Sequence, residues 1–276
     1  MRLFVPLVLG AALALGAVGP LAALPDTAVV QTQLSESQGN PFVLRERLAA
    51  GRTLAIRNIN GPIKVERADG ELVEVTAYRR AGRRGNPEDV RIDVVREDGS
   101  LTVCAVYPNF ESDRPNTCRF RGGQMNVRDN DTNVEFTVRV PAGVRLSATT
   151  VNGAIDIARL ASPVEANTVN GAIALVTSGQ ARATTVNGSI SARLEGPRLD
   201  EDTRFTTVNG SVSVQIASGT NATVEANTVN GNIEAADFNL FPTGRYGPRR
   251  LSGQIGGGGP TLKLSTVNGK IELRRL

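Results

Sequence analysis

One four-residue word constrains this chain more than any other feature. Thr-Val-Asn-Gly occurs six times, with its asparagines at Asn152, Asn170, Asn187, Asn209, Asn230 and Asn268. The glycines that close it are Gly153, Gly171, Gly188, Gly210, Gly231 and Gly269. Successive asparagines are 18, 17, 22, 21 and 38 residues apart. A short fixed word at a near-constant interval marks one structural unit being stacked.

Aligning the repeats on their asparagine exposes two strands per unit. Six residues before it stand Leu146, Val164, Ala181, Thr203, Val224 and Leu262. Four before it stand Ala148, Ala166, Ala183, Phe205, Ala226 and Leu264, and two before it is always Thr. Polar residues such as Glu165, Arg182 and Glu225 alternate with them. After the asparagine, apolar residues recur at the third position (Ile155, Ile173, Ile190, Val212, Ile233, Ile271) and the fifth (Ile157, Leu175, Ala192, Val214, Ala235, Leu273). Period two with one apolar face is a half-buried strand. The inward parity is even before the asparagine and odd after it, which a straight strand cannot achieve. The chain must bend at the word, where Gly, and less readily Asn, can take the positive φ that a corner often needs.

Two strands and two turns in 17–22 residues describe a coil. The expected fold is all-β, a single-stranded parallel β-solenoid, β-helix-like, with about eight coils, each closed by its neighbours. The many inward alanines imply a thin core. An antiparallel hairpin array competes, because Asn-Gly is also a hairpin signal; identical corners at one-coil spacing favour stacking. The asparagines can then form a column, each amide bonding to the next coil. Read along the sequence, Asn187 is central and Asn268 ends the array. Two degraded copies extend the frame: Asn60-Gly61, with Asn58 where Thr is expected, and Ser252-Gly253-Gln254-Ile255 inside the longest gap. Residues 238–250 read as a lateral loop. Upstream, Val73, Val75 and Ala77, then Val90, Ile92 and Val94, then Val134, Phe136, Val138 and Val140 alternate with polar residues, with Asp69-Gly70 and Asp98-Gly99 as tight turns.

The N-terminus reads as an address. Met1-Arg2 precedes an uncharged run over residues 3–24, interrupted by Pro6 and Pro20. This is the pattern of a secretory signal peptide cleaved near Ala23, with an uncleaved anchor as the alternative. The expected organisation is a signal peptide over residues 1–23, a linker over 24–50, and the solenoid over 51–276. Its irregular, longer-stranded coils occupy 51–141 and its regular repeats 142–276. Export permits a disulfide, and Cys104 and Cys118 are the only cysteines. Two free thiols are the alternative.

Composition narrows the chemistry. The 276 residues include no histidine and no tryptophan, with eight Phe and three Tyr. Without histidine, a Ser or Cys nucleophile would need another base. No position of the frame stacks aspartates on adjacent coils, so paired carboxylates at glycosidase separation do not emerge. A net charge of +4 is far from the dense basic stripe of a nucleic-acid binder. Asp129, Asp131 and Asn133 have the spacing that opens a calcium loop, but Val134 stands where the glycine belongs and Val140 where the bidentate Glu belongs. A polar turn is the competing account. Arg79, Arg80, Arg83 and Arg84 form a basic turn, with smaller pairs at Arg249-Arg250 and Arg274-Arg275; these could touch anionic head groups or simply face solvent.

The Thr-Val-Asn-Gly-x-Ile array resembles the DUF4097 family of bacterial exported proteins, often labelled adhesins. Residues 103–108 (VCAVYP), Arg119, 134–143 (VEFTVRVPAG), 241–255 (FPTGRYGPRRLSGQI) and 262–273 carry the resemblance, which spans roughly residues 50–276. It implies a β-solenoid in the bacterial envelope and supplies no catalytic residue, cofactor or ligand. The expected function is therefore a non-enzymatic, exported, adhesin-like interaction module in the periplasm or at the cell surface. Its expected partner is an envelope polymer or protein, with no nucleic acid and no membrane contact beyond the signal segment. A periplasmic scaffold binding a protein partner is the alternative, and a polysaccharide-active enzyme a third.

Overall fold

The computed structural model describes residues 41–109, 116–119, 127, 129–240 and 249–276. The expected signal peptide over residues 1–23 and most of the expected linker lie outside them. In chain order the strands are β1 (Phe42–Arg47), β2 (Thr53–Arg57), β3 (Ile63–Arg67), β4 (Leu72–Arg80), β5 (Arg91–Glu97), β6 (Ser100–Val106), β7 (Asn133–Val140), β8 (Arg145–Thr149), β9 (Ile155–Leu160) and β10 (Val164–Asn167). There follow β11 (Ile173–Thr177), β12 (Ala181–Thr184), β13 (Ile190–Leu194), β14 (Thr203–Thr206), β15 (Val212–Ile216), β16 (Ala222–Asn230), β17 (Ile233–Glu234), β18 (Arg250–Ile255), β19 (Thr261–Asn268) and β20 (Ile271–Arg275). Among the described residues the first strand is β1, which falls within the stretch expected to be linker. Among the described residues the only helix is a single 3-10 turn, Pro87–Asp89.

These strands form two ten-stranded, mostly parallel sheets. Sheet I runs β18-β16-β19-β14-β12-β10-β8-β2-β6-β5 and sheet II runs β17-β20-β15-β13-β11-β9-β3-β7-β4-β1. Each repeat places its first strand in sheet I and its second in sheet II, with the word between them. The inward residues of both sheets merge into one apolar cluster. The expected alternation is met rung by rung: Leu146, Val164 and Ala181 stand in register in sheet I, and Ile155, Ile173, Ile190, Val212 and Ile271 in sheet II. The core is thinnest where Ala181, Ala183 and Ala192 meet, and Phe205 on the next rung, fully buried, supplies volume there.

The stack does not follow the chain. The final pair β19/β20 is inserted between β14/β15 and β16/β17, and the first pair β2/β3 lies between β6/β7 and β8/β9. Asn268 is therefore an interior rung and Asn230 the terminal one, correcting the order read along the sequence. The outermost layers are continued by antiparallel strands: β18 on β16, β5 on β6, β4 on β7 and β1 on β4. Ser252-Gly253-Gln254-Ile255 belongs to the β18 edge strand and is no corner copy. The lateral loop expected over 238–250 falls mostly outside the described residues. Asp98-Gly99 makes the expected two-residue hairpin, with φ of 49° and 69°. Asp69-Gly70 does not, because β7 lies between the strands it joins.

Candidate functional site

The corner column is built by three side-chain positions with three different duties. Seven asparagines stack on one line in the order Asn60, Asn152, Asn170, Asn187, Asn209, Asn268, Asn230. Each later amide donates its Nδ2–H to the Oδ1 of the one before, at 2.7–2.9 Å. The degraded copy at Asn60 thus belongs to the column. The buried Thr two residues earlier points inward and donates to a glycine carbonyl of the adjacent rung: Thr150 to Gly61, Thr168 to Gly153, Thr185 to Gly171, Thr207 to Gly188, Thr266 to Gly210 and Thr228 to Gly269. Where Asn58 replaces Thr, its amide donates to the carbonyls of Gly61 and Val134.

The corner glycines are needed for a reason different from the expected one. Gly153, Gly171, Gly188, Gly210, Gly231 and Gly269 are absent from the positive-φ residues; only Gly61 of this column is there, at 128°. A Cβ on any of the six would come to within 1.9–2.0 Å of the neighbouring glycine carbonyl oxygen. Close rung-to-rung approach, not left-handed backbone, excludes every side chain. The valines between Thr and Asn form a separate outward column. Val151, Val169, Val186, Val208, Val267 and Val229 are 36–50% exposed.

The second feature is an open groove of about 510 Å³ on the outer face of sheet I, crossing β2, β8, β10 and β12. Arg57, Arg145 and Arg182 bring guanidinium groups; Glu165 and Glu201 bring carboxylates; Thr53, Ser147, Thr149, Asn167 and Gln180 bring neutral polar groups. No aromatic ring lines it. A departure from the regular repeat shapes one end. Glu201 comes from the long connection between β13 and β14, held down by Gln180 donating to the Asp202 carbonyl at 3.0 Å and by the Thr261 N–H donating to Asp202 Oδ1 at 2.8 Å. On β6, the neighbour of β2, the Cys104–Cys118 disulfide, formed with a Cα–Cα distance of 5.7 Å, ties Cys118 to the outer face of the strand. The outward-facing Ala55 and Thr102 are buried.

The remaining sequence candidates are placed elsewhere. Asp131 accepts the backbone N–H groups of Arg83 and Arg84 at 2.9 and 2.8 Å, and these bonds hold its carboxyl below the usual range. Asp129 lies 3.8 Å from Arg84. The intervening Asn130 is buried and accepts from the Thr132 N–H. Asp131 thus fastens the basic turn, and among the described residues no cluster of three or more acids or cysteines could hold a metal. Within the turn, Arg79 donates to the Val90 carbonyl and Arg80 pairs with Glu135 at 3.3 Å. Tyr107 closes the column beyond Asn60: its hydroxyl donates to the Thr132 carbonyl at 2.8 Å, and burial pushes its pKa up. The sequence singled out Glu165 and Arg182 as outward residues but did not show that they share a groove.

No protein-family model matches the chain, and no curated protein matches it. Solved structures do. A proposed cell adhesion protein from Clostridium sporogenes is similar over 86% of this chain and 100% of its own, at 12% identity and a TM-score of 0.48. A proposed adhesin from Bacteroides fragilis is similar over 87% and 98%, at 10% identity and a TM-score of 0.40. A proposed lipid-binding protein from Parabacteroides distasonis covers the same shares, at 12% identity and a TM-score of 0.27.

Proposed function

We propose that this chain is an exported, non-enzymatic, adhesin-like binding module of the cell envelope, a DUF4097-type solenoid whose coils are the paired strands of the two sheets. The observation that carries this reading is the groove. It is open, polar and spread over parallel rungs, suited to an extended ligand rather than to a small substrate held against converging groups. No histidine exists to act as acid or base in it. The secretory pattern over residues 1–23 and the disulfide support an oxidising compartment. The exposed valine column favours a second reading, a periplasmic scaffold with a protein partner, because contiguous apolar surface marks interaction sites.

Fractionation of the native host with antibody detection, followed by co-sedimentation of the purified mature chain with isolated envelope, tests the first reading. The chain is expected outside the cytoplasm and in the envelope pellet. A wholly cytoplasmic pool, or no co-sedimentation, contradicts it. Protease added to intact cells separates the readings, since a surface module is shaved and a periplasmic scaffold survives.

A further inference from the structure

We infer that the groove on sheet I binds an extended carboxylated polysaccharide, a chain of uronate-type sugars lying across the strands. This rests on the proposed function and adds the class of ligand. Arg182 lines the groove, and Arg204, its register partner on the neighbouring strand β14, extends the same outer face just beyond the lining, with Lys263 following on the next strand. Like charges directly opposite one another across strands are destabilising unless something lies between them. Lys263 has Glu225 at 3.7 Å. Glu165, register-paired with Arg182 on the other side, accepts instead from Asn167 at 3.3 Å. The two arginines thus present forked donors to solvent about one strand spacing apart, roughly 5 Å. A planar guanidinium matches a carboxylate in two parallel hydrogen bonds. Arg145, further along the groove, offers a third such fork.

The rest of the groove selects among polyanions. No ring is present on which the bases of a nucleic acid could stack. A peptide would look for a free strand edge or an apolar pocket, and the floor is the face of fully paired strands. Carboxylates, amides and hydroxyls set among arginines suit a ligand that carries acids and hydroxyls together. Hydroxyls can donate to Glu165 and Glu201 and accept from Asn167 and Gln180.

Calorimetric titration of the mature chain with polygalacturonate and alginate oligosaccharides, with dextran oligosaccharides and polyphosphate as comparisons, tests the assignment. Binding is expected for the uronates, weakening with salt, and absent for dextran. Arg182→Gln and Arg204→Gln should each weaken it about tenfold, which corresponds to about 1.4 kcal/mol. Unchanged melting temperatures would show that these exposed variants fold. No uronate binding, equal binding of dextran, tighter binding of polyphosphate, or uronate binding indifferent to both variants overturns the assignment. Envelope co-sedimentation without uronate binding would sink this inference and leave the proposed function standing. Uronate binding by a cytoplasmic protein would do the reverse.

Discussion

Gly188 has no side chain because the carbonyl of Gly171 already stands where its Cβ would be, 1.9 Å away. Gly188→Ala should therefore cost about 3 kcal/mol, as overpacking against backbone does. Gly70→Ala, with nothing within 4 Å and no positive φ, should stay within about 0.5 kcal/mol. Chemical denaturation of the two variants measures both; equal losses would contradict the close-approach account. The sequence showed where glycine is indispensable but not why. Parity exposed a corner, and corners suggest positive φ, whereas the distance between rungs is invisible in one dimension. The asparagines were more legible, since an amide carries both donor and acceptor and repeats once per rung. Asn187 and Asn268 each make two amide bonds in the column, and Asn230 makes one. Asn187→Ala and Asn268→Ala should each lose about 1–2 kcal/mol, and Asn230→Ala about half that. A stability series in which Asn268→Ala is the mildest would contradict the order of rungs.

Strands were legible wherever one face is apolar, because alternation alone dictates which side chains turn inward. Their pairing was not, and ion pairs across strands show why. Lys64 on β3 donates to Glu135 on β7 at 2.7 Å, and Arg80 on β4 approaches the same carboxylate at 3.3 Å. Residues 64, 80 and 135 are distant in sequence and meet only because β7 lies between β3 and β4. The Lys64 hydrogen bond, with the charges of Lys64 and Arg80, holds the Glu135 carboxyl below its ordinary value. A carboxyl depressed in the folded state stabilises fully above its unfolded pKa, about pH 4–5, and that contribution is lost as pH falls through the folded value. Glu135→Gln should be less stable than the parent at neutral pH, with the difference closing in acid. Urea midpoints at pH 7 and pH 3 check this; a gap that widens in acid would have the wrong sign. The groove was illegible at this scale for a related reason. Its floor follows from outward parity, but one end depends on the connection carrying Glu201.

At the scale of the molecule, the strand pairs β2/β3 and β19/β20 both turn back into the stack. The last described pair, β19/β20, has neighbours on each side. The exposed flank of β16 is covered by antiparallel β18, which leaves one edge strand there instead of a bare parallel edge. The sequence could not reveal this, because every repeat offers the same complementary faces to every other. The 38-residue gap was the one sign that the sixth copy does not simply follow the fifth. The functional account depends on the same order, since the groove needs β2, the second strand of the chain, beside β8. The exposed valines allow a direct test. Val208 and Val267 lie on adjacent rungs, as their asparagines do. Val208 and Val229 are separated by one further rung, about 10 Å, beyond the span of a disulfide. With Val208→Cys and Val267→Cys together, mild oxidation should form the new bridge in high yield, read by mass spectrometry of the unreduced digest. Val208→Cys with Val229→Cys should not form it; bridging of that second pair, and not the first, would contradict the inserted order.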